Sequence, residues 1–188
     1  LGIGQMGLVS ASVLAAAERP TGKNRPSEPV PAPTHDIIIW GHNQEEAGEL
    51  AQTRKSARLP GFRLPDSVRV SFKDSEALSR AALIVSAIPV QYSREAWNRM
   101  RKHVPKDASV LSVSKGIEND TLLRPTQVIA DVLEDDQDSR PRSLGVLSGP
   151  TIASELARFL PATMIAASDD AEFAKSVQRL FSTSWLRV

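Results

Sequence analysis

The sequence predicts a doubly wound α/β domain on a mostly parallel sheet. Short β-branched runs alternate with helical patterns along the chain, the order that βαβ units with right-handed crossovers produce. A glycine turn, Leu1 to Gly7 (L-G-I-G-Q-M-G), opens directly into an Ala/Leu/Val stretch. The 188 residues are 41% apolar, 24% charged and 5% aromatic, enough for one domain with a proper core.

The elements follow in order. Leu8 to Ala17 has the composition of a buried helix. Five prolines between Pro20 and Pro33 suit neither helix nor strand and predict an exposed insertion. Asp36 to Trp40 reads as a buried strand stopped by Gly41-His42-Asn43, and Asn43 with Glu46 has the spacing of a capping box. After a proline-punctuated loop from Leu59 to Pro65, Val68 to Phe72 alternates like a strand and Asp74 to Arg80 like a short helix. Ala82 to Ile88 is almost wholly apolar, as a central parallel strand covered on both faces should be.

Ser93 predicts the cap of a helix carrying Ala96, Trp97 and Met100. Ser109 to Ser114 predicts the next strand, Thr121 to Leu133 the next helix, and Glu134 to Asp138 a solvated acidic connection. Leu144 to Leu147 is again a strand, Ser148 to Thr151 a turn, Ile152 to Leu160 a helix and Ala162 to Ala167 a strand. Phe173, Val177, Leu180 and Phe181 lie on one face of a further helix, and Trp185 to Val188 begins a strand that the sequence cuts off.

Composition narrows function. A net charge of +1 leaves no electrostatic footprint for nucleic acid or an anionic membrane. The absence of cysteine excludes disulfide scaffolds, thiol catalysis and thiolate metal sites, and suits a reducing cytoplasm. The longest clearly apolar run, Ala81 to Val90, falls far short of the roughly 20 residues that span a bilayer. His35, His42 and His103 show no metal-ligand pairing, and no G-x-S-x-G elbow is present. The acidic run from Glu134 lacks the spacing of a calcium loop. A first residue of Leu1, without a signal-peptide pattern, predicts that the chain begins inside a longer protein.

In such sheets ligands bind beyond the carboxyl ends of strands, and four positions there carry chemistry. Gly2, Gly4 and Gly7 fit a Rossmann-like dinucleotide turn: a tight bend, close approach of a pyrophosphate and close helix packing, with helix amides facing the anion. Gly41-His42-Asn43 lacks the acid that grips ribose hydroxyls in NAD-selective folds, so His42 either lies near a 2′-phosphate or is a solvated turn residue beside the Asn43 cap. Lys115, in S-V-S-K-G-I-E, is either a point charge for phosphate or a developing alkoxide, or a snorkelling strand-edge lysine. In S-G-P-T-I-A-S-E, Gly149 permits close approach, and Pro150 and Thr151 open a helix whose free amides suit a substrate phosphate or are merely capped.

Together, G-I-G-Q-M-G, I-I-I-W-G-H-N, A-I-P-V-Q, S-V-S-K-G-I-E and L-S-G-P-T-I-A-S-E-L-A, followed by L-P-A-T, strongly resemble bacterial NAD(P)-dependent glycerol-3-phosphate dehydrogenase over nearly the whole chain. The lysine and S-G-P-T motifs carry the resemblance; the glycine turn is generic.

The resemblance implies a cofactor domain for NADPH or NADH in an enzyme that interconverts dihydroxyacetone phosphate and sn-glycerol 3-phosphate for phospholipid synthesis. It implies cofactor contacts at Gly2, Gly4, Gln5, Met6, Gly7, His42, Lys115 and Ala153, and substrate contacts at Lys115, Gly149 and Thr151, with Lys115 catalytic. In that family the proton-donating lysine lies in an all-helical second domain, expected after residue 188 and absent here. Residues 1–188 are thus expected to be the NAD(P)-binding domain with its first strand truncated and an insertion at 20–33, inactive or nearly so alone, cytoplasmic and compatible with a homodimer. A non-catalytic dinucleotide-binding or regulatory module is the alternative.

Overall fold

The structure is a computed structural model that describes residues 1–15, 35–133 and 142–188. The proline-rich insertion, the end of the first predicted helix and the acidic connection lie outside the described residues.

Seven α-helices and eight strands are described. The strands β3 (Leu83–Ser86), β4 (Ser109–Ser112) and β5 (Leu144–Ser148) run parallel, with β7 (Ile165–Ser168) antiparallel on β5. A second parallel pair joins β1 (Ile38–Trp40) to β2 (Arg69–Ser71). Residues at the start of the chain bridge the two sets: Gly2 N donates to Trp40 O at 2.8 Å and Leu1 O accepts from Ala87 N at 2.9 Å. The resulting order, β2, β1, the Leu1–Ile3 segment, β3, β4, β5 and β7, is that of a doubly wound dinucleotide fold whose last strand is reversed.

Period-two alternation sends successive strand residues to opposite faces, and two cores result. Ile39 and Leu111 join α1 (Gln5–Ala15), α2 (Gln44–Thr53), α6 (Ala153–Leu156) and α7 (Ala171–Phe181) in one. Trp40 and Val110 join Leu78 of α3 (Asp74–Leu78), Trp97 and Met100 of α4 (Val90–Met100), and Ile129 and Val132 of α5 (Pro125–Leu133) in the other.

Several boundaries differ from the sequence expectation. α4 starts at Val90 behind Pro89, whose restricted φ suits a helix start, and Ser93 is buried inside it instead of capping it. α5 starts at Pro125 and not Thr121. The predicted helix from Ile152 shrinks to four residues. The predicted strand at Ala162 to Ala167 divides at buried Met164 into β6 (Ala162–Thr163) and β7, and β6 pairs with β8 (Leu186–Arg187) away from the main sheet. The capping box is half made: Asn43 Oδ1 accepts from Glu46 N at 3.0 Å, while the Glu46 carboxylate turns to Arg58. No described helix is long and apolar enough to cross a membrane.

Candidate functional site

The glycine turn is shaped by sterics. Gly2 has φ +98°, a region open to glycine, and a Cβ on Gly7 would stand 1.9 Å from Gly2 O, so any side chain there forces the turn open. Gly4 differs: a Cβ there would meet nothing within 4 Å. That open space lies at the start of α1, where Leu8 N closes the first helical bond on Gly4 O at 3.0 Å. The amides of Gln5, Met6 and Gly7 precede that bond, at the positive end of the helix dipole. A backbone that leaves room above Gly4 and amides ahead of the helical ladder fits a pyrophosphate.

Gln5 and His42 are exposed, and Met6 packs partly on the core. Gln5 Nε2 donates to Arg58 O at 2.7 Å, tying the glycine turn to the loop after α2. Arg58 NH2 in turn donates to Glu46 Oε2 at 3.0 Å. The hydrogen bond from Arg58, and more weakly the charges of Arg58 and His42, hold the Glu46 carboxyl below its ordinary range against some desolvation. His42, Glu46, Arg58 and Gln5 therefore gather on one side of the glycine turn. Arg58 was missed from sequence because its loop has no motif; the signal was the basic composition of Arg54, Lys55, Arg58 and Arg63. Arg54, with φ +59°, shapes this loop by donating to Pro65 O at 2.6 Å and Val68 O at 2.8 Å.

The third and fourth motifs meet in space. Lys115, beyond the end of β4, donates from Nζ to Gly149 O at 3.0 Å and Thr151 O at 3.4 Å, beyond the end of β5. Gly149 is sterically required, because a Cβ would lie 2.7 Å from Thr163 O. Thr151 Oγ1 is buried and has no hydrogen-bond partner among the described residues. A hydroxyl so placed is satisfied by a ligand or an ordered water. Ala153 is buried at the start of α6. α6 begins at Ala153, not at Pro150, and at four residues is too short to serve as the anion-binding helix expected there; the polar groups are Lys115 and Thr151 themselves.

Comparison with known proteins identifies the family and the fold. The family model for the NAD-dependent glycerol-3-phosphate dehydrogenase N-terminus matches residues 1–174. A glycerol-3-phosphate dehydrogenase of the NAD(P)+ type from Lactobacillus delbrueckii subsp. bulgaricus is 35% identical over 154 residues, 82% of this chain and 46% of that protein. One from Corynebacterium glutamicum is 37% identical over 152 residues, 80% of this chain and 45% of the relative. The chain spans about half the length of the curated relatives it matches. Among solved structures, a glycerol-3-phosphate dehydrogenase from Coxiella burnetii superposes with a TM-score of 0.82 at 21% identity, covering 100% of this chain and 51% of its own. A UDP-D-ManNAc dehydrogenase from Pyrococcus horikoshii superposes at 0.70 with 12% identity, covering 99% of this chain and 45% of its own, a likeness of fold alone. With the family model matched over most of its length, this chain belongs to the NAD-dependent glycerol-3-phosphate dehydrogenase N-terminal family.

Proposed function

We propose that this chain binds NADPH or NADH across the carboxyl ends of its parallel strands and, within a protein of the length of its relatives, serves reduction of dihydroxyacetone phosphate to sn-glycerol 3-phosphate in the cytoplasm. The observation that carries the reading is the meeting of Lys115 with the Gly149 and Thr151 carbonyls, next to a Thr151 hydroxyl left without a partner among the described residues, on the sheet edge that also carries the open glycine turn.

The pyrophosphate lies over Gly4, Gln5 and Met6 against the first turn of α1, with Gly2 and Gly7 shaping the bend. His42 and Arg58 stand at the adenosine end, and Ala153 lines the site near the nicotinamide. When bound, the nicotinamide supplies the hydride. Lys115 faces two carbonyl oxygens and keeps further donor capacity for a substrate oxygen, so its ammonium stabilises the charge developing on the ketone oxygen without reorganising. Thr151 Oγ1 and the Gly149 backbone hold the substrate beside it. Loss of such a preorganised donor costs about 10²–10³-fold in rate.

The test is dihydroxyacetone-phosphate-dependent oxidation of NADPH and NADH by the chain extended to the length of its relatives, beside its Lys115→Ala variant. Turnover that falls at least 100-fold in the variant, with the fold intact by circular dichroism, supports the reading. Near-normal turnover in the variant overturns the role of Lys115. NADPH binding without turnover in the wild type leaves a dinucleotide-binding module.

A further inference from the structure

The loop that follows Lys115 is held in a costly shape by two residues of α4, Gln91 and Arg94. Gly116, Asp120 and Leu122 have φ of +99°, +67° and +57°. Left-handed backbone is ordinary for glycine and uncommon for a branched apolar residue such as Leu122, which is also exposed and gains nothing by burial. Something must hold it.

Gln91 grips the loop backbone at two points: Nε2 donates to Ile117 O at 2.9 Å and Oε1 accepts from Asn119 N at 2.9 Å. Three residues on, on the same helical face, Arg94 forks onto Glu118, with Nε to Oε1 at 3.0 Å and NH2 to Oε2 at 2.9 Å. The Thr121 hydroxyl donates to the same carboxylate, and Arg94 NH1 also reaches Asp131 of α5. Glu118 is only 7% exposed, and its own backbone bonds to Leu123 and Leu122 close the turn around it. The hydrogen bond from Arg94, then that from Thr121, holds its carboxyl below the ordinary glutamate range. Connecting β4 to α5 requires neither a part-buried ion pair nor left-handed leucine. Both hold the peptide that leaves Lys115 against the start of α4, where a Cβ on Gly116 would stand 3.3 Å from Val90 Cγ1.

We propose that Arg94, assisted by Gln91, is a positioning residue: by clamping Glu118 and the 116–122 loop it fixes the backbone from which Lys115 reaches the Gly149 and Thr151 carbonyls. A lysine stem has four rotatable carbons, so the place of its ammonium depends on how firmly its backbone is held. The catalytic consequence rests on the function proposed above; the clamp itself does not.

The test is therefore twofold. Brief acetic anhydride labelling, read by mass spectrometry, compares Lys115 with Lys55 and Lys73 in the same molecule. Arg94→Met removes the fork, Arg94→Lys keeps charge without it, and Gln91→Ala removes only exposed hydrogen bonds, so it guards against a variant that fails to fold. Lys115 labelling is expected to rise several-fold in Gln91→Ala and further in Arg94→Met, with Arg94→Lys between and the other lysines unmoved. Unchanged Lys115 labelling, or a rise shared by all three lysines, overturns the clamp. In the extended protein, kcat is expected to fall by up to about 10²-fold in Arg94→Met with NADPH affinity retained. Equal loss of both assigns Arg94 a structural role and overturns positioning. A wild type without turnover, whose Lys115 labelling still responds, overturns the proposed reaction and supports the clamp.

Discussion

Gly4 and Gly7 share one turn, yet their replacement by alanine should fail for different reasons. A Cβ on Gly7 would lie 1.9 Å from Gly2 O and 3.0 Å from Gly2 C, both backbone atoms. An ordinary carbon–oxygen contact is about 3.3 Å, so the turn must open by about 1.4 Å. Overpacking of this kind costs about 1–3 kcal/mol, and each kcal/mol lowers Tm by roughly 2–4 °C in a chain of this size. Gly7→Ala should therefore melt roughly 2–12 °C lower with or without cofactor. Gly4→Ala meets nothing within 4 Å, so its Tm should move by no more than about 4 °C, the cost of a poorer helix cap. Its methyl group instead fills the space assigned to the pyrophosphate and holds it off the α1 amides. Losing about 1.4 kcal/mol of that interaction weakens NADPH tenfold. Thermal unfolding by circular dichroism and titration of NADPH fluorescence read the two effects separately. Wild-type NADPH affinity in Gly4→Ala would refute the placement of the pyrophosphate, and a wild-type Tm in Gly7→Ala would refute the steric argument.

Arg58→Ala should weaken NADPH about tenfold and NADH little, because only the 2′-phosphate competes with Glu46 for the guanidinium; equal weakening in paired titrations would remove Arg58 from cofactor choice. Asp170 caps α7, accepting from Ser143 Oγ, Glu172 N and Phe173 N. The Ser143 bond, then that of Phe173, holds its carboxyl below the ordinary value of 3.8. A depressed carboxylate contributes stability that is full above 3.8 and lost as pH falls through the lower folded value. Asp170→Asn, which still caps, should show less acid loss than wild type below that pH in melts from pH 5 to 2; an identical acid limb would show that Asp170 contributes none of it.

The fold was legible because its signals are local. Strand alternation, the steric need for glycine at Gly2 and Gly7, and the strand-end positions of Lys115 and Gly149 follow from spacing along a few residues. Ser93 misled as a cap, since cap preference is a property of composition, whereas the start at Val90 depends on how the chain leaves β3 beside Pro89. Ala162 to Ala167 read as one strand because its hydropathy is continuous; that β6 pairs with β8 and β7 with β5 is settled by partners on either side of Met164.

The sequence by itself determined the layers, the glycine turn and the residues that compose the family motifs. Only the tertiary structure decided that the Lys115 ammonium meets the Gly149 carbonyl, that Arg58 crosses from the α2 loop to the glycine turn, and that Arg94 holds Glu118. These contacts join residues 34, 53 and 24 positions apart, and no local propensity encodes such a distance. They follow from the packing of helices across a parallel sheet, which brings strand ends to one edge and leaves the side chains there to find partners.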